Sequence, residues 1–414
     1  MTTVFRDVRV FDSKKGVLGD AAEVVVRDGL VAGIRPIGGD SEGTVIDGGG
    51  RTLIPGLIDA HWHSVFATAP LTTLLLGDVG YLHILAGASA RETLMRGFTT
   101  VRDAGGPSFG LKQAIDTGVT PGPRIYPSGA MISQTGGHGD FRNRHEIPRG
   151  RLGHLSDAEL IGGVCIADGV DAVLQGVREQ LMLGASQIKL MAGGGVASAH
   201  DPLDVTQYTE AELRVAVEAA ENWGTYVMVH SYTPRAVQQA IRAGVRCVEH
   251  GQLLDDQTAA LMAEKGVWWS LQPFLDDEDA VPVPPQNRHK FLAMTQGTDN
   301  AFALARKHGV RVAWGTDTLF DAGLAAKQGK QLAKMTRWFS PAEVLTMATA
   351  TNAELLAMSG PRNPYPGTLG VIEEGAIADL ILVDGNPLAD ISLLARPESA
   401  FTVIMKGGEI VKGA

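Results

Sequence analysis

The chain has 414 residues, which is more than one hydrophobic core usually serves, so a second structural unit is expected. Its composition of 44% hydrophobic and 20% charged residues is typical of a soluble globular protein. The formal net charge of −10 argues against nucleic acid or an anionic membrane as partner, because both attract basic surfaces. Two cysteines are too few for a disulfide framework, and the N-terminus lacks the features of a secretory signal. We therefore expect a cytoplasmic protein that does not span a membrane.

Both ends of the chain carry short runs typical of strands. Residues 1–56 contain VFRDVRVFD and AEVVVRDG, and the C-terminal end contains ADLILVDGNP and FTVIMKGG, all bounded by Gly, Asp or Asn. Two strand-rich ends around one long middle predict a small β-sandwich domain formed from residues 1–56 and 361–414.

The middle of the chain, residues 57–360, alternates short apolar runs with segments of helical period. Eight such runs can be counted, from the one ending in DAHWHS to VRVAWGTDT, with RIYPSGAMIS as the third. Thr209 and Glu212 form a capping-box pattern ahead of one helical segment, and FLDDEDAVPVPPQNR predicts an irregular loop after the seventh run. The predicted fold is α/β, a distorted TIM (β/α)8 barrel with the terminal β-sandwich as its second domain.

Six side chains that can bind a metal stand at the ends of these apolar runs. The C-terminal ends of the strands of a barrel meet at one face, so these side chains are expected to converge. Residues two positions apart on a strand point to the same face. His61 and His63 of the HWH motif therefore point the same way. The six candidates for a metal site are His61, His63, Lys189, His230, His250 and Asp317.

In these motifs the chain resembles the amidohydrolase superfamily, in particular its two-metal branch of imidazolonepropionase-like and prolidase-like proteins. That branch includes Xaa-Pro dipeptidases, N-acyl amino acid hydrolases and ochratoxinase-type enzymes, and the resemblance covers essentially the whole chain. It implies two divalent cations, with zinc the expected metal although manganese, cobalt and iron share these ligands. His61, His63 and Asp317 would hold the more buried cation, and His230 and His250 the more exposed one.

Lys189 needs a separate explanation, because a free ammonium would repel a cation. The resemblance implies that carbon dioxide carboxylates this lysine and that the resulting carbamate bridges both metals. The alternative is a structural ion pair with Asp or Glu, since an unpaired lysine is costly to bury.

The resemblance also indicates the chemistry. Two neighbouring cations can lower the pKa of a bridging water, polarise the scissile carbonyl and stabilise the tetrahedral oxyanion. Asp317 is predicted to be catalytic, taking the proton of the bridging hydroxide and passing it to the leaving amine. Its alternative role is to cap the helix after the eighth strand. The run HSYTPRAV lacks the glutamate that the deaminase branch uses, which disfavours deamination.

Two side chains are predicted to contact the substrate. His138 lies in TGGHGD, and prolidase-like relatives have a similar GGHGD whose histidine contacts the substrate carbonyl, so we predict catalytic and binding roles for it. Tyr232 follows His230 with the same strand parity, and relatives with HAYT or HSYT use this tyrosine for the substrate carboxylate. The alternatives are a loop histidine bonded to nearby backbone and a core tyrosine.

The loop after the third run is basic, although the protein as a whole is acidic. Arg142 and Arg144, together with Arg149 and Arg151, are predicted to bind an anionic end of the substrate. The alternative is a solvated charge run paired with Asp140 and Glu146. The run Gly193–Gly195 lacks a phosphate-loop pattern. We interpret it as a stretch without side chains that leaves space near Lys189.

The sequence thus predicts a metal-dependent amidohydrolase that cleaves the amide bond of N-acyl amino acids or short peptides, either Xaa-Pro-like or ochratoxin-like, by attack of a metal-bridging hydroxide. One alternative is a hydrolase of cyclic amides, carbamates or xenobiotic esters that has no carboxylate clamp. A second alternative is a binding protein without catalytic activity. The expected partners are a small-molecule substrate and further copies of the chain in a homo-oligomer.

Overall fold

The strands of the protein fall into three sheets. The computed structural model describes residues 2–38, 43–146, 153–198 and 200–413. Its strands are β1 Thr2–Asp12, β2 Val17–Arg27, β3 Leu30–Arg35, β4 Thr44–Asp47, β5 Thr52–Pro55, β6 Leu57–Trp62, β7 Phe98–Asp103, β8 Arg124–Pro127, β9 Met131–Ser133, β10 Val164–Ile166, β11 Ile188–Met191, β12 Val227–Ser231, β13 Cys247–His250, β14 Trp268–Leu271, β15 Val312–Trp314, β16 Leu380–Val383, β17 Phe401–Lys406 and β18 Glu409–Lys412.

Helices separate the strands of the middle region. They span Leu71–Leu76, Val79–Met95, Phe109–Asp116, Asp157–Leu160, Val170–Leu183, Glu210–Asn222, Pro234–Ala243, Asp256–Lys265, Arg288–His308, Ala322–Ala325, Gln328–Lys334, Pro341–Thr346, Asn352–Ala357 and Pro397–Ala400. The predicted capping box is confirmed, because Thr209 Oγ1 accepts from the Glu212 amide while the Glu212 carboxylate accepts from the Thr209 amide. The predicted irregular loop after the seventh run is confirmed, because residues 274–284 form neither helix nor strand. A 3-10 turn follows at Pro285–Asn287.

The two ends of the chain share one eight-stranded sheet. Its order is β18-β17-β16-β5-β1-β2-β3, with β4 also paired to β1, and the antiparallel pair β5 and β16 joins the two ends. Along β16, Leu380 and Leu382 belong to the core of this sheet, whereas Ile381 and Val383 belong to the main core. The sheet is therefore buried on both faces at β16, whereas β3 and β18 near its edges are partly exposed. The sandwich and the boundaries at residues 56 and 361 remain predictions.

The middle region is α/β with two parallel sheets. One contains β6, β7 and β8, and the other has the order β10-β9-β11-β12-β13-β14-β15. Each of the eight predicted runs contains a strand, but the third is divided, with β8 in one sheet and β9 in the other. Gly129 lies at this break with φ +73°, a left-handed conformation that favours glycine. The pairing of β10 with β9 was not predicted.

The main core lies between the seven-stranded sheet and its helices. Ile188 and Leu190 of β11 and Val227 and Val229 of β12 are buried in it. The residues between them, which include Lys189, point to the opposite face of the sheet. Cys165 and Cys247 are both free, and no helix among the described residues is long and apolar enough to cross a membrane.

Side chains join β6 to β15, where the two parallel sheets meet. The buried amide of Asn352 donates to the carbonyls of Ile58 (2.8 Å) and Trp314 (2.9 Å) and accepts from the Trp314 amide (3.1 Å). The Asp59 carboxylate accepts from the Thr316 amide at 3.2 Å and its hydroxyl at 2.8 Å. This seam brings the first and last strands of the middle region together.

Replacing Asn352 with Ala should lower the free energy of unfolding by about 3 kcal/mol, because three buried backbone groups would lose their partner. Denaturant unfolding followed by circular dichroism measures the change. The matched control is Asn222→Ala at an exposed position, which should stay within about 0.5 kcal/mol of the wild type. Equal stability of the two variants would contradict the role assigned to Asn352.

Candidate active site

One cavity gathers the side chains that the sequence singled out. It encloses about 1120 Å³, its open mouth included. Its lining contains all six candidate metal ligands and, of the candidate substrate contacts, the histidine and the tyrosine: His61, His63, His138, Lys189, His230, Tyr232, His250 and Asp317.

Two histidines of the HWH pair point at one carboxylate oxygen. His61 Nε2 lies 3.1 Å and His63 Nε2 lies 3.2 Å from Asp317 Oδ1. The other ring nitrogen of each histidine forms a hydrogen bond. His61 Nδ1 lies 2.7 Å from Glu249 Oε2, and His63 Nδ1 lies 2.7 Å from the Gly105 carbonyl oxygen. Carbonyl and carboxylate oxygens only accept, so both Nδ1 atoms carry the proton. Both Nε2 lone pairs therefore face an acceptor, an arrangement that calls for a cation between them.

The other two histidines are oriented in the same manner. His250 Nδ1 lies 2.8 Å from Oε1 of Gln272, whose amide nitrogen donates to the Ser270 carbonyl and is thereby fixed. His230 Nε2 lies 3.1 Å from the Gly194 carbonyl. These contacts leave a lone pair on His250 Nε2 and on His230 Nδ1. Each of the four rings thus keeps one nitrogen able to bind a metal.

The charges around Asp317 also suit a cation. Burial would raise the pKa of Asp317, but His61 and His250 hold it well below its usual range. Burial lowers the pKa of His61, but the carboxylates of Asp317 and Glu249 together raise it above its usual value. His61 Nε2 is a buried atom without a hydrogen-bond partner, and candidate ligand atoms of His61, His250 and Asp317 lie within 4.8 Å of one another. This donor set of imidazole and carboxylate fits a divalent metal such as zinc.

Lys189 is buried beside this cluster. Burial lowers the pKa of its ammonium, outweighing the attraction of Glu249 and Asp317. Among the residues that the structure describes, Lys189 forms neither a hydrogen bond nor an ion pair. The alternative of a structural ion pair is therefore not realised here.

The backbone is strained at two of the candidate ligands. His250 has φ +76° and Asp317 has φ +52°, both in the left-handed region that non-glycine residues rarely occupy. Such conformations concentrate at functional sites, where surrounding contacts hold them. The Asp317 amide donates to the His61 carbonyl at 2.8 Å. Asp317 does not cap the next helix, because that helix begins at Ala322 and is capped by Asp321.

A buried ion pair that the sequence analysis missed supports His61. Arg102 donates to both oxygens of Glu249 at 2.8 Å, and the Cys247 thiol donates to the same carboxylate at 3.0 Å. Burial would raise the pKa of Glu249, but Arg102 and His61 hold it well below the usual range. The alternation along β13 could have indicated the role of Glu249. Cys247 and Glu249 are two positions apart and so point to the same face of the strand.

His138 and Tyr232 lie close to the cluster. The His138 ring stacks on His230 with 4.0 Å between centroids, and its Nδ1 lies 2.8 Å from Ser198 Oγ. The Tyr232 ring stacks on His250 at 5.2 Å, and its hydroxyl donates to Met294 Sδ at 3.4 Å. Their substrate roles remain predictions. Tyr232 is at the same time a buried core residue, as the alternative proposed.

Arg142 and Arg144 are not among the residues that line the cavity. Arg142 pairs with Asp140 through its Nε at 2.8 Å and a terminal nitrogen at 2.5 Å, and Arg144 donates to His200 at 3.2 Å. Glu146 bonds Asn143 rather than an arginine. This placement argues against Arg142 and Arg144 as substrate contacts and favours a charge run satisfied within the loop. The predictions for Arg149 and Arg151 lie outside the described residues.

Two apolar surfaces border the ligand cluster. The ring centroid of Phe274 lies 6.0 Å from that of His250. The ring of Phe320 packs on Phe66, whose centroid lies 6.4 Å from that of His63. The residues next to His250, named the His250 wall, are Val196, Tyr232, Phe274, Ala280, Val283, Phe291 and Met294. The lining residues that belong to a second hydrophobic cluster, named the His63 wall, are Met131, Phe141, Met191, Leu319 and Phe320.

The chain matches known proteins over most of its length. Residues 52–411 match the sequence profile described as the Amidohydrolase family. Ochratoxinase of Aspergillus niger is 33% identical over 377 residues, which are 87% of this chain and 76% of that protein. The crystal structure of a prolidase complexed with N-methylphosphonate-L-proline has a TM-score of 0.92 and 36% identity, covering 100% of both chains. A Xaa-Pro dipeptidase with bound methionine in the active site gives a TM-score of 0.85 with 28% identity, again over 100% of both chains.

Replacing Glu249 with Gln should weaken divalent-metal binding about 10- to 100-fold. Gln has an NH2 group where Glu249 has its second acceptor oxygen, and it lacks the negative charge that fixes the His61 ring. Competition with a chelator, followed by elemental analysis, measures the affinity. The matched control, exposed Glu264→Gln, should bind metal as the wild type does. Melting of the metal-free proteins separates a loss of affinity from a loss of folding. Unchanged affinity in the Glu249 variant would refute the assignment.

Proposed function

This chain belongs to the amidohydrolase family and is a hydrolase of amide bonds, and we propose that it cleaves N-acyl amino acids or short peptides with apolar groups on both sides of the bond. One observation carries the proposal: the ligand cluster shares its cavity with two separate apolar groups, the His250 wall and the His63 wall. Apolar pockets with a few convergent polar groups are typical of small-molecule sites. The similarity to ochratoxinase, a prolidase and a Xaa-Pro dipeptidase supports an amino-acid-containing substrate.

The proposal includes two divalent cations, with zinc expected. His61, His63 and Asp317 would hold one cation, and His230 and His250 the other, which is supported by the single free lone pair on each ring. When bound, such a pair supplies Lewis acidity that activates water and polarises the scissile carbonyl.

Lys189 would complete the ligand set as a carbamate. Its buried amine attacks carbon dioxide, forming a nitrogen–carbon bond and releasing one proton, so that a neutral amine becomes an anionic carboxylate. The lowered pKa of Lys189 and its lack of a partner among the described residues both support this reaction. An anion at this position would also balance the charge of two cations.

Asp317 is proposed to carry the proton. Its low pKa keeps it ionised near neutral pH, so it can accept a proton from the attacking water and deliver it to the leaving nitrogen. Water is consumed, the carbon–nitrogen bond breaks, and a carboxylic acid and an amine are released. His138 is proposed to donate a hydrogen bond to the substrate carbonyl oxygen as negative charge develops there.

The proposal extends to the architecture. The two parallel sheets would form one distorted (β/α)8 barrel, which is supported by hydrogen bonds at both junctions. The Asp317 amide donates to the His61 carbonyl at 2.8 Å, and the Ser186 amide donates to the Pro127 carbonyl at 2.8 Å. The ligands would then share the catalytic face of a barrel. A cytoplasmic homo-oligomer remains the expected state.

A second candidate is a hydrolase of neutral amides, carbamates or esters. Among the described residues that line the cavity, Lys334 is the only lysine or arginine besides Lys189. It already pairs with Asp277 at 2.7 Å and with Asp279 at 3.1 Å. Arg142 is held by Asp140. A substrate carboxylate would therefore have to displace an existing ion pair or bind at Tyr232 or His138.

Release of free amino acid from a panel of N-acyl amino acids and Xaa-Pro, Xaa-Phe and Xaa-Arg dipeptides tests the function. Substrates with bulky apolar groups on both sides should exceed those with glycine or aspartate by at least about tenfold in kcat/KM, since lost apolar contacts cost about 1–3 kcal/mol. Lys189→Ala should lower turnover about a thousandfold, whereas exposed Lys265→Ala should not. Turnover of carboxamide or ester analogues alone would select the second candidate, and a metal-loaded wild type inactive on every compound would refute both.

Replacing Arg142 with Ala should leave kcat/KM for the best carboxylate-bearing substrate within about twofold of the wild type, because Asp140 holds this guanidinium away from the cavity. Steady-state kinetics with the matched carboxylate and carboxamide forms of that substrate measure the effect. A rise in KM confined to the carboxylate form would instead restore the predicted clamp.

A further inference from the structure

Residues 193–198, 200 and 201, which we call segment 193–201, lie against the ring of His138. A Cβ on Gly195 would lie 1.8 Å from His138 Nδ1, so only glycine allows this close approach. The Gly194 carbonyl accepts from His230 on the same side. Gly195 therefore makes room for His138, whereas Gly193 and Gly194 lie against Ser231 and the Pro202 carbonyl. None of the three has Lys189 as its nearest contact, which corrects the sequence-based interpretation.

A buried lysine holds this segment in place. Lys290, in the first turn of helix Arg288–His308, is 6% exposed. Its ammonium donates to the carbonyls of Gly195 (3.2 Å), Ser198 (3.0 Å) and Asp201 (2.6 Å). An ammonium has three donors, and all three are used by the backbone of one short segment.

The residue that precedes this helix strengthens the attachment. Asn287 is buried, and the two hydrogens of its side-chain NH2 group face three consecutive carbonyls of the segment, those of Val196 (2.9 Å), Ala197 (3.3 Å) and Ser198 (3.0 Å). Two neighbouring side chains therefore fix the backbone from residue 195 to residue 198.

Ser198 transmits this fixed position to His138. Its hydroxyl oxygen lies 2.8 Å from His138 Nδ1 and 3.2 Å from the Gly195 carbonyl. The hydroxyl has one proton and both acceptors within reach. When it donates over the shorter distance to Nδ1, the Gly195 carbonyl still accepts from Lys290. The ring proton then stays on Nε2, the tautomer that a hydrogen bond to a substrate oxygen requires.

We propose that Lys290 is a positioning residue for catalysis, which holds segment 193–201 so that Ser198 fixes the ring and tautomer of His138. Lys290 touches neither the reacting atoms nor the candidate metal ligands. The inference rests on the proposed function, because it gives His138 the task of binding the substrate carbonyl. Misplacement of such a group by about 1 Å can cost about 100-fold in rate.

The test compares Lys290→Met and Ser198→Ala with Lys307→Met in the metal-loaded protein, using the best substrate of the panel. Lys307 lies on the same helix but is exposed and pairs with Asp256, so it is the matched control. Both test variants should lose about 10- to 100-fold in kcat, with KM within about threefold and metal content unchanged. Selective nitrogen-15 NMR should show the His138 proton on Nε2 in the wild type and divided between the ring nitrogens in Ser198→Ala.

Wild-type kcat in Ser198→Ala, or an unchanged His138 tautomer, would overturn the proposal. A parallel loss of melting temperature, metal and kcat in Lys290→Met, with Ser198→Ala unaffected, would make Lys290 merely structural and would also overturn it. Failure of the proposed function is distinct, because the wild type itself would then turn over none of the panel.

Discussion

The candidate site depends above all on the contact between β6 and β15. The Asp317 amide donates to the His61 carbonyl, and the Asp59 carboxylate binds the amides of His61 at 3.0 Å and Thr316 at 3.2 Å. These bonds bring residues from the beginning and the end of the middle region within hydrogen-bonding distance. Strand order then places the remaining candidate ligands, because neighbouring parallel strands end at the same edge of the sheet. A slip of one residue in this contact would turn His61 away from Asp317.

The buried charged side chains around the cavity explain how this site can exist inside the protein. Arg102 neutralises Glu249, so this pair costs less than either ion alone and serves to fix His61. Burial lowers the pKa of His250 to about 3, which keeps this ring neutral and its lone pair available near neutral pH. Asp317 remains ionised, and no described acid pairs with Lys189. The interior is thus arranged to receive cations rather than to balance its own charges.

The sequence predicts most of what depends on local pattern. Strand period and position at the ends of apolar runs indicate which side chains converge, and all six candidate ligands do line one cavity. Contacts between distant segments are not visible in this way: Arg102 and Glu249 are 147 positions apart, and Lys290 is 95 positions from Gly195. The role predicted for Arg142 finds no support because a carboxylate two residues away captures it, which depends on the path of the loop.

The two segments that border the cavity are attached in different ways, and this separates catalysis from substrate selection. The loop that carries Phe274 is held by ion pairs of Asp277 and Asp279 with lysines, of which Lys327 and Lys330 are 42% exposed. The lysine ends of two of these pairs are partly exposed and are screened by salt, whereas the Asp279 carboxylate is buried and three lysines compensate it. The aspartate therefore anchors the loop, while the apolar side chains of the loop can vary. Segment 193–201 is instead held by buried donors to its carbonyls, whose loss leaves polar groups unpaired. Variation in the first loop should therefore alter which apolar groups fit, while variation in the second should reduce turnover of every substrate.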